Sequence, residues 1–173
     1  MRSSLLLKLT AGSLLSMAVA VAPAALRAQD GATVLKPAAL EKLIPATVFY
    51  RGQTATTQLR NSGGVRFSDG YLVLASLVDT SGYSDAIVAK YQAILIVEVP
   101  IKIAGKDLAA GVYGIGFVAD NQFLVTDVGG HDVLSVVSAT DAELKRPTPL
   151  GIVADASGGF RLYAGRRYVV LSR

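Results

Sequence analysis

The amino-acid sequence predicts an all-β fold, either an antiparallel β-sandwich or a partly open barrel, with one short N-terminal helix. Two observations support this prediction. Apolar side chains recur at every second position over residues 91–103, which is the period of a strand and not of a helix. Elsewhere about nine or ten short segments are separated by turn residues at intervals of roughly 8 to 14 residues, a spacing typical of sandwiches and barrels.

The first predicted element is a helix over residues 37–44, which has proline at its first position and another proline just past its end. Two β-rich segments follow. The second of them, residues 53–60, is polar and rich in threonine, which fits a solvent-facing edge strand that could also accept a strand from a partner. The NSGG sequence at 61–64 predicts a turn. Residues 71–78 are apolar on both faces, as in a central strand covered on each side.

The second half of the chain is also predicted to consist of strands. Pro100 cannot donate a hydrogen bond to a neighbouring strand, so it indicates an edge, a bulge or a break into two strands. Residues 108–119 are predicted to form a strand with glycine at alternate positions, and residues 132–139 are ambiguous between strand and helix. The last segment, residues 149–173, has the pattern of three strands joined by two turns.

Residues 1–28 have the three-part layout of a secretory signal peptide, with Arg2 and Lys8, then an apolar stretch, then small residues. We expect cleavage between residues 24 and 28, which leaves 29–173 as a single β-rich domain in the periplasm or outside the cell. The apolar stretch is shorter than the about 20 residues of a membrane span, so no span is expected after cleavage. An uncleaved N-terminal anchor is the alternative.

Charge and cysteine content exclude several classes of function. Three of the 17 basic residues, Arg2, Lys8 and Arg27, lie in the signal, which leaves 14 basic and 13 acidic residues. This near-neutral balance lacks the clustered basic surface of a nucleic-acid-binding protein. The chain has no cysteine, which excludes disulfides, thiol catalysis, thiolate zinc sites and iron–sulfur clusters. No cofactor is expected.

The sequence TDVGGHDV contains the catalytic candidates Asp127, His131 and Asp132, because its Gly-Gly loop could bring the only histidine near either carboxylate. An ordinary turn with solvated polar groups explains the same composition. One histidine cannot supply a common catalytic zinc site, so no metal site is expected. The chain has no Gly-x-Ser-x-Gly motif for a serine nucleophile, and we assign no catalytic residue.

The ligand-binding candidates are Tyr113, Gly114, Gly116 and Phe117. Alternate glycines could let a ligand lie against bare backbone. They could equally form a flat strip on which an aromatic ring or a second sheet packs, and we favour this second interpretation.

The sequence VPIKIAGKDLAAGVYGIGF, residues 99–117, resembles a hairpin in a group of small exported bacterial β proteins of unknown function. These proteins pair a short Gly-Lys turn with the pattern L-x-A-G-x-Y. The resemblance covers about one eighth of the chain, and it implies a β fold and export. It assigns no functional residue.

The combined expectation is an exported, non-enzymatic β-domain that binds or scaffolds an unknown protein or small molecule. This expectation rests on clear strand patterning without a convincing set of reacting groups. Two alternatives stay open: a small-ligand carrier with an aromatic-lined cavity, and a hydrolase centred on Asp127, His131 and Asp132.

Overall fold

A computed structural model describes residues 31–173, and the predicted signal peptide lies outside these described residues. The first half contains β1 (Thr33–Val34), α1 (Pro37–Leu43), β2 (Thr47–Tyr50), β3 (Gln53–Arg66), β4 (Leu72–Val78), α2 (Asp85–Val88), β5 (Ala93–Val97) and β6 (Ile101–Ile103). The second half contains β7 (Lys106–Leu108), β8 (Gly111–Phe117), β9 (Gln122–Thr126), β10 (Asp132–Val137), β11 (Ala139–Thr140), β12 (Thr148–Ala154), β13 (Phe160–Gly165) and β14 (Arg167–Ser172).

The strands form two antiparallel sheets. The first has eight strands in the order β1-β3-β4-β5-β8-β9-β10, with β2 paired to β3. The second has six strands in the order β12-β13-β14-β6-β7, with β11 paired to β14. Neither sheet closes on itself, so the all-β prediction is confirmed in its sandwich form.

The main core fills the space between the two sheets. The first sheet contributes buried side chains such as Val73, Leu95 and Phe123, and the second contributes Ile103 and Leu162. The alternation predicted for residues 91–103 therefore directs Ala93, Leu95 and Val97 into this core, as expected of a strand. Tyr91 is the exception, because it precedes β5 and packs on the opposite face of the sheet.

Pro100 marks a break at which the chain changes sheets. β5 ends at Val97 in the first sheet, and β6 begins at Ile101 in the second sheet, where it pairs with β14. The predicted break is confirmed, and it places Ile101 and Ile103 in the core from the opposite side.

The outer face of the first sheet is covered by α1 and by the β2–β3 hairpin. Leu40 and Ile44 of the helix region pack on Leu72 and Leu74 of β4. The helix begins at Pro37 as predicted, and the backbone N–H of Ile44 donates to the Leu40 carbonyl at its end. Since β4 is buried on both faces, its continuous apolar sequence is explained.

The predicted turn at residues 61–64 is wrong, because β3 runs through it without reversing direction. The β3–β4 register shifts between Gln58 and Ser62, which is a bulge. The glycines of this segment instead allow other parts of the chain to approach β3 closely. A Cβ on Gly63 would lie 2.4 Å from the backbone nitrogen of Ile152 in β12, so only glycine lets these two strands pack main chain against main chain.

Within residues 31–173, no helix has the length and apolar character needed to cross a bilayer.

Candidate functional site

Asp127 and His131 meet in the loop that joins β9 to β10. The backbone N–H of Asp127 donates to the His131 carbonyl over 2.9 Å, and Gly130 takes a positive φ of 84° to close the loop. The backbone N–H of His131 donates to Oδ1 of Asp127 at 2.9 Å, and Nδ1 of the ring lies 3.0 Å from Oδ2. The donated backbone hydrogen bond holds the pKa of Asp127 below its usual value.

The third catalytic candidate, Asp132, lies apart from this pair. Its carboxylate faces Lys90, with an Nζ–Oδ1 distance of 3.3 Å. Asp127 fixes the orientation of the His131 ring, which is one requirement of an acid–base pair. The His131 side chain is nevertheless 83% exposed, and within the described chain its ring makes a hydrogen bond with Asp127 alone. The loop therefore presents an oriented imidazole to bulk water and not to an enclosed site.

We expect His131→Ala to leave the free energy of unfolding unchanged within about 0.5 kcal/mol, because the substitution removes an exposed side chain. Denaturant unfolding measures this. The backbone hydrogen bond to Asp127 persists in the variant, so the loop keeps its shape. The same variant tests the hydrolase alternative: a saturable esterase activity of the wild type on p-nitrophenyl acetate, well above that of free imidazole at equal concentration, that disappears with His131 would favour an enzyme.

The glycine strip on β8 lies under aromatic rings. A Cβ on Gly114 would come within 2.5 Å of Tyr50 and 2.9 Å of Tyr91. A Cβ on Gly116 would come within 2.3 Å of the carbonyl oxygen of Lys90. The space over these two ligand-binding candidates is therefore filled by the protein itself.

The rings over this strip form a tyrosine cluster of Tyr50, Tyr83 and Tyr91. The rings of Tyr50 and Tyr91 stack with centroids 3.7 Å apart. The Tyr50 hydroxyl lies 2.8 Å from Oγ1 of Thr126, and the Tyr83 hydroxyl donates to the Tyr50 carbonyl over 3.0 Å. The Tyr91 hydroxyl is buried without a partner among the described residues, and its burial raises the pKa of Tyr91, which keeps the phenol neutral.

The two aromatic candidates lie on the opposite face of β8 from the glycines. Tyr113 packs against the sandwich core, and its hydroxyl donates to the Ala109 carbonyl. The Phe117 ring contacts Phe123 with centroids 4.9 Å apart, and the Arg167 guanidinium lies 5.4 Å from its centroid. These two residues and the two glycines therefore do not converge on one surface.

We expect Gly114→Ala to destabilise the fold by about 1–3 kcal/mol, because the added methyl group overlaps the rings of Tyr50 and Tyr91. Chemical denaturation provides the measurement. Gly151→Ala is the matched control, since its new Cβ would meet only Thr148 Oγ1, at 3.2 Å. Equal stability of the two alanine variants would contradict packing as the role of Gly114.

A cavity of about 380 Å³ lies between α1, β3 and β12, and we call it the α1–β12 cavity. Its apolar wall is formed by side chains from four segments: Leu35, Leu40, Leu144, Leu150, Ile152 and Val153. Its polar groups come from β3, from the segment before β12, from β12 itself and from β13: Arg60, Asn61, Ser62, Arg146, Thr148 and Tyr163. It is an open cleft with one aromatic side chain, unlike the aromatic-lined cavity of the carrier alternative.

Tyr163 is held in the cavity wall by a polar network. Its hydroxyl donates to Oδ2 of Asp141 over 2.8 Å and accepts from Nη1 of Arg161 at 3.2 Å. Arg161 also forms an ion pair with Asp155 at 2.9 Å and stacks over Tyr168 at 4.5 Å. This network fixes one wall of the cavity.

Arg60 and Arg146 contribute the charges of the cavity. Neither guanidinium forms an ion pair or a hydrogen bond with any residue in 31–173. Sequence reasoning misses both residues: Arg60 ends the polar segment 53–60, which predicts a solvent-facing strand, and Arg146 precedes the predicted strands of the C-terminal segment. No local signal marks them, because the cavity exists only where β12 and α1 approach β3.

A smaller cavity of about 240 Å³ lies between the tyrosine cluster and the β9–β10 loop. Arg51, Lys90 and Gly130 line it, and Lys90 is already paired with Asp132. Among the residues that the structure describes, no group of three or more acidic or histidine side chains could hold a metal ion.

Comparison of the chain with protein-family models, with curated proteins and with solved structures gives no significant match.

Proposed function

We propose that this protein is an exported, non-enzymatic binding domain that holds a small molecule in the α1–β12 cavity. The observation that carries the proposal is the cavity itself. Its volume of about 380 Å³ falls within the range of roughly 300–1,000 Å³ found for ligand sites. Its mainly apolar wall with a few polar groups is the usual composition of such sites.

The walls of the cavity belong to packed parts of the fold. Leu40 is buried beneath α1, and Leu150 and Ile152 of β12 belong to the sandwich core. Tyr163 is fixed by its bonds to Asp141 and Arg161. A preformed site of this kind loses little conformational entropy on binding, which favours affinity for a small ligand.

The non-enzymatic part of the proposal is supported by the position of the titratable groups. The Asp127–His131 pair lies on an exposed loop, and His131 lines neither the α1–β12 cavity nor the smaller one. A hydrolase is the second candidate, favoured by the 3.0 Å contact between His131 Nδ1 and Asp127. It lacks an assigned nucleophile, and the His131→Ala experiment decides it.

Export is supported by the signal-like residues 1–28. When the full chain is expressed in a Gram-negative host, we expect the processed protein in the periplasm or the medium, because the apolar segment should engage the secretion machinery. N-terminal sequencing of the recovered protein should place the first residue just after a cut between residues 24 and 28. Recovery of the uncut chain in the membrane fraction would contradict this and favour the anchor.

We expect Gly151→Leu to abolish or weaken ligand binding at least tenfold, because the side chain would occupy the cavity. A Cβ at this position has only Thr148 Oγ1 within 4 Å, so the backbone can accept it. Native mass spectrometry of the purified protein measures the bound molecule, and thermal shifts with a small-molecule library measure stabilisation by ligands.

Gly151→Ala serves as the size control, since it leaves most of the volume open. Far-ultraviolet circular dichroism verifies that both variants are folded. The proposal fails if the wild type binds nothing in either measurement, or if it binds a ligand that the leucine variant binds equally well.

A further inference from the structure

We infer that the ligand of the α1–β12 cavity is an amphipathic anion, with a carboxylate or phosphate group bound by Arg60 and Arg146 and a hydrocarbon body against the apolar wall. This inference rests on the proposed function and names the chemical class of the ligand. It concerns a site for which the sequence patterns gave no indication.

The lining of the cavity carries positive charge. Two arginines contribute to the cavity, and none of the side chains that line it is acidic. A guanidinium presents a planar fork of donors that matches the two oxygens of a carboxylate or phosphate. The lining therefore favours an anion and disfavours a cationic ligand.

These two guanidinium groups have no acceptor in the described part of the chain, in contrast to those of Arg161 and Arg167. Arg161 pairs with Asp155, and Arg167 donates to the Gln122 carbonyl and to Ser138. The donors of Arg60 and Arg146 are thus available to a ligand without breaking an existing interaction. Binding an anion there carries no penalty from displacing a protein partner.

Two carboxylates, Asp141 and Asp155, belong to the network that holds Tyr163 in the cavity wall. Asp141 accepts a hydrogen bond from Tyr163, and Arg161 lies 3.6 Å from the same carboxylate while it also binds Asp155. Arg166 adds a second cation beside the Asp141 segment, where it donates to the Ala142 carbonyl. These neighbouring cations balance the two carboxylates, so the acids do not cancel the positive character of the lining.

The cavity also has an apolar wall. The accessible part of this wall comes from Leu35 and Leu144, which are half-buried, and from Val153, which is 48% exposed. A hydrocarbon body that covers this surface removes apolar area from water, which stabilises the complex. A small inorganic anion would use the arginines and leave this wall exposed. The combination of the two features selects an amphipathic ligand.

The test compares ligands that share one hydrocarbon tail. We expect octanoate and octyl phosphate to bind the wild-type protein in isothermal titration calorimetry. Octan-1-ol and octylammonium should bind at least tenfold more weakly, because they offer the guanidinium groups no anionic acceptor. Octanoate and octyl phosphate also distinguish a carboxylate ligand from a phosphate ligand.

The matched variants are Arg60→Gln and Arg146→Gln, with Arg66→Gln as control. Arg66 lies on the same strand as Arg60 and outside the cavity lining, so its variant makes the same change in net charge. Each cavity variant should lower affinity for the better-bound anion by about tenfold to a hundredfold, the range for a lost charge-assisted hydrogen bond. The control should bind like the wild type.

The results separate this inference from the proposed function. Equal binding of octanoate, octyl phosphate and octan-1-ol, with unchanged affinity in both arginine variants, would overturn the inference. If Gly151→Leu still prevented that binding, the cavity would remain the binding site. Absence of binding for the whole series would overturn the inference. The proposed function alone would still hold if a different molecule co-purified with the wild type and no longer bound the Gly151→Leu variant. Because the ligand comparison uses the wild type, it is decisive even if a variant misfolds.

Discussion

The contact on which the rest of the structure depends is the packing of the β12 backbone directly against β3 at Gly63. Any side chain at this position would meet Ile152 and push the strands apart. Because the strands touch, Leu150 and Ile152 reach the core between the sheets. The α1–β12 cavity lies beside this contact, so the same close approach supports the fold and shapes the candidate site.

The central strands β4 and β5 of the first sheet are buried on both faces, and the outer face of this sheet uses glycine in a related way. Gly114 removes a side chain so that the stacked rings of Tyr50 and Tyr91 can rest on β8. The β2–β3 hairpin and α1 then cover adjacent parts of the same face. This leaves the strip without room for a ligand, whereas the corner next to Gly63 stays open.

Charged groups divide into two kinds in this molecule. Arg161 and its carboxylates form an internal network that positions Tyr163. Arg60 and Arg146 lie on the same cavity without protein partners in the described residues. Buried and half-buried ion networks serve structure, whereas unpaired guanidinium groups above an apolar wall are suited to recognition. Because Arg161 is paired whereas, within residues 31–173, Arg60 and Arg146 are not, we infer that the ligand carries an anionic group.

The sequence by itself determined most of the strands, the helix that begins at Pro37 and the break at Pro100, because side-chain alternation and proline chemistry are local properties. It also placed Asp127 and His131 in one loop, because the two residues are four positions apart and the two glycines between them let the chain turn tightly. Only the tertiary structure decided the role of Gly63. It also brought Arg60 and Arg146 to the lining of the same cavity. Glycine composition is the same for a turn and for a close approach, and only the packing of distant strands distinguishes them.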